Sequence, residues 1–140
     1  MLTAIVAMTL TVPPPSTVDM RPILDAIRQV ETGGCKDAAN AVGDNGRSIG
    51  PLQIQYGYWL DACEYEPSLR KAGYQAVRDV EYAERCVIAY LSRYVKDWSN
   101  PIDAAARTHN GGPKGIGRKA TDGYAAKVKV EYSKAKKGNR

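Results

Sequence analysis

The chain has 140 residues, 44% of them hydrophobic and 25% charged, which is enough apolar material for one buried core and one domain but leaves no room for a second catalytic unit. A formal charge of +5 and an isoelectric point near 9.1 favour polyanionic partners. Nucleic acid is the weaker partner of that kind, because no recognition-helix or base-stacking pattern accompanies the basic residues.

The N-terminal stretch Leu2 to Val12 is apolar but far too short to span a bilayer, so no membrane span is expected. Pro13-Pro14-Pro15-Ser16-Thr17 then breaks any helix. The stretch reads either as a minimal signal peptide or as an irregular arm packed on the domain. It lacks a positive side chain before the apolar part and a clear small-x-small cleavage site. We divide the chain into an arm or signal-like segment at 1–18, a folded domain at 19–135 and a basic tail at 136–140.

From Pro22 to Glu31, apolar residues at 23, 24, 27 and 30 form one face of a helix, and Gly33-Gly34 supplies its stop. Glu31 falls in the last turn, where the negative end of the helix dipole and any desolvation favour a neutral, proton-donating acid. Asp44, between Gly43 and Asn45-Gly46, belongs to a turn whose free N–H groups and nearby water keep a carboxylate ionised. Two carboxyls in contrasting environments are the minimum equipment for cleaving a glycosidic bond. One donates a proton to the leaving oxygen, and the other meets the positive charge developing on the sugar. Spacing alone is a weak signal, because a solvated helix-end Glu and an ordinary Asx turn are common features.

Only residues 43–56 look extended, as a hairpin built on Asn45-Gly46 with Gly50-Pro51-Leu52-Gln53-Ile54 as an apolar-anchored strand. A long amphipathic helix is predicted from about Ala76 to Trp98, carrying Val77, Val80, Ala83, Val87, Leu91 and Tyr94 on its apolar face. Asn100-Pro101 opens another helix, which runs through Ala104-Ala105-Ala106 and stops at Asn110-Gly111-Gly112-Pro113. A last helix starts at Thr121 or Asp122 and reaches about Lys134. Lys127, Lys129, Lys134, Lys136, Lys137 and Arg140 concentrate positive charge there, as a surface for a polyanionic partner or simply as a solvated face.

Three cysteines, Cys35, Cys63 and Cys86, cannot all pair within the chain. Either Cys63 bridges to Cys86 and leaves Cys35 free, or all three are thiols. With His109 the only histidine, no zinc spacing exists, and neither metal nor cofactor is expected.

Several blocks, taken in order, resemble the invertebrate-type lysozymes, the destabilase family. They are Glu31-Thr32-Gly33-Gly34-Cys35, the Gly50 to Ile54 strand, Tyr58-Trp59-Leu60-Asp61, the Cys86 helix ending in Tyr90-Leu91-Ser92-Arg93-Tyr94, and Ala106-Arg107-Thr108-His109-Asn110-Gly111-Gly112-Pro113. They cover roughly residues 22 to 115. The resemblance implies a mainly α, lysozyme-like α+β fold, a helical domain with a small β-hairpin flanking a substrate cleft. It also implies hydrolysis of the β-1,4 bond between N-acetylmuramic acid and N-acetylglucosamine in peptidoglycan, antibacterial or wall-degrading, by a secreted protein. By position, Glu31 matches the family's general acid and Asp44 its nucleophile. The stretch from the aspartate to the glycine is about one residue shorter than the family pattern, so Asp37 competes with Asp44.

His109 and Asn110 are placed to hydrogen-bond the sugar N-acetyl groups or the second carboxylate, with Gly111 beside them. The competing reading is a helix C-cap in which Asn110 and Gly111 only accommodate positive φ. Ser48, Gln53 and Tyr58 complete the substrate-binding candidates. Animal members of the family are dense with disulfides, and this chain departs from them with only three cysteines.

A fainter similarity to goose-type lysozymes and lytic transglycosylases keeps intramolecular ring closure open as an alternative reaction. Destabilase-type isopeptidase activity, with Ser48 and His109 as the available pair, is another. A catalytically inactive wall-binding module is the third, and an intact Glu31 argues against it. A monomer is the expected state, although nothing in the residues fixes it.

Overall fold

A computed structural model describes residues 14–138, so the apolar stretch from Leu2 to Val12 and the last two residues lie outside it. The first helix, α1 (Met20–Thr32), begins where the Asp19 carboxylate accepts a hydrogen bond from the Arg21 backbone N–H at 3.0 Å. Ile23, Leu24, Ala26 and Ile27 are buried on its inner face, as the spacing predicts. It ends at the paired glycines, Gly34 taking a left-handed φ of 78°. The Thr32 hydroxyl then donates to the Pro51 carbonyl at 2.8 Å, fixing the helix end to the sheet.

That sheet is antiparallel and three-stranded in the order β1 (Val42–Gly43), β2 (Ser48–Ile49), β3 (Ile54–Gln55). The expected hairpin is present, but its turn is longer than Asn45-Gly46 alone. Asp44, Asn45 and Gly46 all have positive φ, and Gly43 pairs with Ser48. Asp and Asn enter the left-handed region more readily than other non-glycine residues, which explains the choice of side chains here.

Gly50 to Gln53, expected as strand, is instead a second turn. Gly50 has a φ of 80°, and a Cβ there would meet the Val77 carbonyl oxygen at 2.4 Å, so backbone packing requires glycine and bends the chain. Buried Leu52 and Ile54 anchor the turn to the core.

The helix α2 (Tyr56–Tyr65) had no counterpart in the sequence reading. It buries Trp59, Ala62 and Cys63, and it packs against α3 (Val80–Tyr94). The Trp59 indole N–H donates to the Tyr82 hydroxyl at 2.9 Å, and that hydroxyl donates to the Leu69 carbonyl at 2.6 Å.

The α3 helix is shorter than the predicted 76–98. Asp79 caps it by accepting from the Tyr82 N–H at 2.9 Å, which restricts residues Tyr74–Arg78 to a 3-10 turn. Val95 leaves the helix in an extended conformation. Within α3, buried Glu84 receives both Arg21 guanidinium nitrogens, at 2.7 and 2.6 Å, clamping α1 to α3.

The next helix, α4 (Pro101–Gly111), starts as predicted, but Gly111 is still helical, with φ −105°. The reversal falls on Gly112 at φ 79°, one residue later than the C-cap reading had it. Two 3-10 turns, Gly112–Gly117 and Lys119–Thr121, lead into α5 (Asp122–Gly138), which continues past the expected end and packs along α1 and α4.

All three cysteines are free thiols, so the Cys63–Cys86 bridge is not formed. Both thiols serve as small apolar groups between α2 and α3. Burial pushes the Cys63 thiol up and the Cys86 thiol up to about 12, which disfavours the thiolate that oxidation requires. Among the described residues, no helix is long and apolar enough to cross a membrane.

Candidate active site

The end of α1, the sheet, α2, α4 and the start of α5 enclose a cleft of about 450 Å³. Glu31, Asp44, Ser48, Gln53, Tyr58, His109 and Asn110 all line it, so every site residue chosen from the sequence except Gly111 reaches one wall or another. Gly111 lies at the junction of α4 with the following turn. A Cβ there would meet Thr121 Cγ2 at 2.5 Å, so its glycine serves packing, and Gly112 is the glycine that borders the cleft. Asp37 is exposed, away from the lining, with both carboxylate oxygens 3.0 Å from the Asn40 amide.

Glu31 reaches the cleft from the last turn of α1 with its side chain 20% exposed. Its Oε1 accepts a hydrogen bond from the Tyr124 hydroxyl at 2.8 Å and lies 3.4 Å from His109 Nε2. The other imidazole nitrogen, Nδ1, is 2.9 Å from the Tyr58 hydroxyl. Tyr58 stacks on Tyr90 with centroids 3.6 Å apart and planes within 10°. Burial holds the phenols of Tyr58, Tyr90 and Tyr124 well above the ordinary tyrosine value, and the Glu31 carboxyl adds to this at Tyr124. All three remain protonated donors in neutral solution.

Asp44 stands on the opposite side in terms of environment, exposed on its turn. Its Oδ2 accepts from the Ser48 hydroxyl at 2.5 Å and, more weakly, from the Gln55 amide at 3.4 Å. These donors, Ser48 first, hold the carboxyl below the usual carboxylate range, with a smaller contribution from the Arg47 charge. The ionised state matches the sequence expectation, but its cause is different. Ser48 and Gln55 are directly opposite each other in the β2–β3 register, so the sheet itself presents both donors to the turn.

Gln53 has a mainly structural engagement: its amide nitrogen donates to the Gly50 carbonyl at 2.9 Å and the Ala41 carbonyl at 3.3 Å, bracing the second turn. Ser48 and His109, the pair available for isopeptidase chemistry, direct their hydrogen bonds elsewhere, Ser48 to Asp44 and His109 to Tyr58 and toward Glu31. Among the described residues, no three His, Cys, Asp or Glu side chains are grouped to hold a metal ion.

Sequence reasoning missed Gln55, Tyr90, Gly112, Tyr124 and Lys127, which also line the cleft. Gln55 is the cross-strand partner of Ser48, a pairing that only the β2–β3 register reveals. Tyr124 and Lys127 are one turn apart on α5 and share a face by helical spacing, but only the docking of α5 against α1 reveals that this face meets Glu31.

The arrangement has counterparts. The Destabilase family model matches residues 21–131. Lysozyme 1 of Crassostrea virginica is 33% identical over 110 residues, spanning 77% of this chain and 57% of that protein. The invertebrate-type lysozyme of Ruditapes philippinarum is 30% identical over 89 residues, 62% of each chain. The chain thus spans less than two thirds of the length of both relatives. The crystal structure of Tapes japonica lysozyme superposes with a TM-score of 0.62 at 30% identity, covering 77% of this chain and 86% of that one. The mainly helical architecture with its small sheet is accordingly a lysozyme-like fold, and the chain belongs to the destabilase family, that of the invertebrate-type lysozymes.

Proposed function

We propose that this chain is a lysozyme, a glycoside hydrolase that cleaves the β-1,4 bond between N-acetylmuramic acid and N-acetylglucosamine in bacterial peptidoglycan, and that it acts outside the cytoplasm where that substrate lies. The observation that carries the reading is the presence of Glu31 and Asp44 on one cleft in contrasting environments, Glu31 partly sheltered and hydrogen-bonded to a phenol, Asp44 exposed and held ionised.

Glu31 donates its proton to the glycosidic oxygen as the bond to the anomeric carbon breaks. Asp44 attacks that carbon to form a glycosyl ester, and Glu31, now a carboxylate, takes a proton from the water that hydrolyses the ester. This double displacement retains the anomeric configuration. A carboxylate kept ionised in the cleft supports hydrolysis over intramolecular ring closure, which needs only the acid.

Mass spectrometry of soluble products from peptidoglycan, with the native protein beside Glu31→Gln, tests the reading. Reducing muropeptides from the native protein alone support it. Anhydro-muropeptides would make the chain a transglycosylase, and an absence of products with wall binding intact would make it a binding module.

A further inference from the structure

Catalysis by an acid carboxyl requires that the proton sit on the oxygen facing the scissile bond, and a carboxyl has two oxygens. In this chain they are not equivalent. Glu31 Oε1 takes the Tyr124 hydroxyl at 2.8 Å and has His109 Nε2 at 3.4 Å, whereas Oε2 has no partner among the described residues. Since Glu31 lines the cleft, Oε2 is the oxygen left for a ligand.

We infer that Tyr124 is a positioning residue for the proposed hydrolysis: by donating to Oε1 of Glu31, it locks the carboxyl rotamer and makes Oε2 the atom that carries the transferable proton. The inference rests on the proposed lysozyme reading. Tyr124 is suited to the task because a partly buried phenol beside a carboxylate keeps its proton throughout the working range and so remains a donor. His109 Nδ1 lies 2.9 Å from the Tyr58 hydroxyl and Nε2 lies 3.4 Å from Oε1, so the imidazole and the Tyr124 phenol approach the same oxygen.

The backbone holding Tyr124 is itself secured. Arg107 of α4 bonds the Thr121 hydroxyl at 3.0 Å and the Asp122 carboxylate at 2.5 Å, immediately before Tyr124. Gly111 lets Thr121 approach α4 closely. The titratable groups lining the cleft around Glu31 are Tyr124 and Lys127 from α5, His109 from α4, Tyr58 from α2, Tyr90 from α3 and Asp44 from the sheet turn; of these, Tyr124 and His109 contact its carboxyl.

The test is Tyr124→Phe, which removes one oxygen and keeps the ring. Carbon-13 NMR of the Glu31 side-chain carboxyl should show its resonance displaced by loss of the hydroxyl contact, with the far-ultraviolet circular dichroism unchanged. On peptidoglycan, kcat should fall roughly tenfold with KM unchanged, as for loss of an interaction that matters in the transition state.

An unmoved carboxyl resonance overturns the inference. So does a moved resonance with native kcat. If the native protein releases no reducing muropeptides, the lysozyme reading fails and takes the catalytic half of the inference with it, while the NMR spectrum still decides whether Tyr124 holds the carboxyl. Tyr124→Leu that melts early beside a well-folded Tyr124→Phe would separate packing by the ring from the action of the hydroxyl.

Discussion

The Ser48 hydroxyl donates to Asp44 Oδ2 at 2.5 Å and is the strongest influence keeping that carboxyl below the ordinary carboxylate range. Asp44 lies on a flexible-looking sequence, Gly43-Asp44-Asn45-Gly46, yet its charge is set by a neighbouring strand rather than by the turn. In the proposed mechanism Asp44 must be ionised, so kcat/KM falls as pH drops through its value in the folded protein. Ser48→Ala removes the main donor, which raises that value and shifts the acidic limb of the kcat/KM profile to higher pH by about half to one unit. The rate at neutral pH should stay within a few-fold of native. A pH–rate profile checks this, and an acidic limb that does not move would remove Ser48 from the control of Asp44.

Asp44→Asn keeps the shape and an acceptor oxygen for Ser48 but cannot form a glycosyl ester. Turnover of peptidoglycan should fall by a factor of about 100 or more, the scale of losing a positioned catalytic group, with binding to insoluble wall preserved. Steady-state rates beside a wall sedimentation assay decide it. Retention of more than a tenth of the native rate would mean that Asp44 is not the nucleophile.

Lys127 offers a way to distinguish substrates. Three other α5 lysines are engaged: Lys129 with Asp103 at 2.7 Å, Lys134 with Glu131 at 3.1 Å, and Lys136 over the Tyr132 ring at 4.8 Å. Lys127 instead borders the cleft beside Glu31 with no acidic side chain within ion-pair distance among the described residues. Peptidoglycan carries carboxylates on its peptide stems, whereas chitin oligomers are neutral. Lys127→Met should lower kcat/KM on peptidoglycan by about threefold, as expected for an exposed ion pair, and leave chitin oligomers unaffected. The difference should shrink in high salt. Equal losses on both substrates would exclude a carboxylate contact.

The Arg21–Glu84 clamp makes a prediction about stability. Glu84 has only 10% of its side chain exposed and accepts from both terminal nitrogens of Arg21, which is itself more than half exposed. Arg21→Met leaves a sheltered carboxylate without its counter-charge and should destabilise the domain by about 2 kcal/mol or more. The paired change Arg21→Met with Glu84→Met removes the stranded charge and should recover most of that loss. Thermal melts of the three proteins test it, and a single variant that melts like the native protein would show the clamp to be energetically idle.

The parts of the fold legible in the sequence were those governed by local pattern. The apolar spacing of Ile23, Leu24 and Ile27, the Gly33-Gly34 stop and the Asn100-Pro101 start each marked a helix boundary that the chain keeps to within a few residues. Tyr56 to Tyr65 was not legible as a helix, because its buried residues Trp59, Ala62 and Cys63 are flanked by aromatics that carry no clear polar face. The α3 boundary was misplaced because Val77 is buried like a helix residue while lying in a 3-10 turn, so its burial continued the periodic pattern beyond the helix.

The cleft positions of Glu31 and Asp44 were readable from their own flanking residues, and those of His109 and Asn110 from their place at a helix end before paired glycines. Tyr124 and Lys127 were not, since they lie on an ordinary amphipathic helix whose contribution depends on its docking more than 90 residues away in sequence. The bond from Tyr124 to Glu31 spans 93 positions.

That span has a consequence for how the protein comes into being. The proposed acid, Glu31, lies on the first described helix and its hydroxyl partner on the last, with the second carboxylate between them in the turn of the sheet. A chain emerging from the ribosome can fold its early helices, yet until residue 124 is available and α5 has docked, Glu31 has no phenol to hold it and one wall of the cleft is absent. In the proposed mechanism, a product truncated before Tyr124 lacks both the phenol that contacts Glu31 and the α5 wall of the cleft, so it should cut wall far less well than the 140-residue chain.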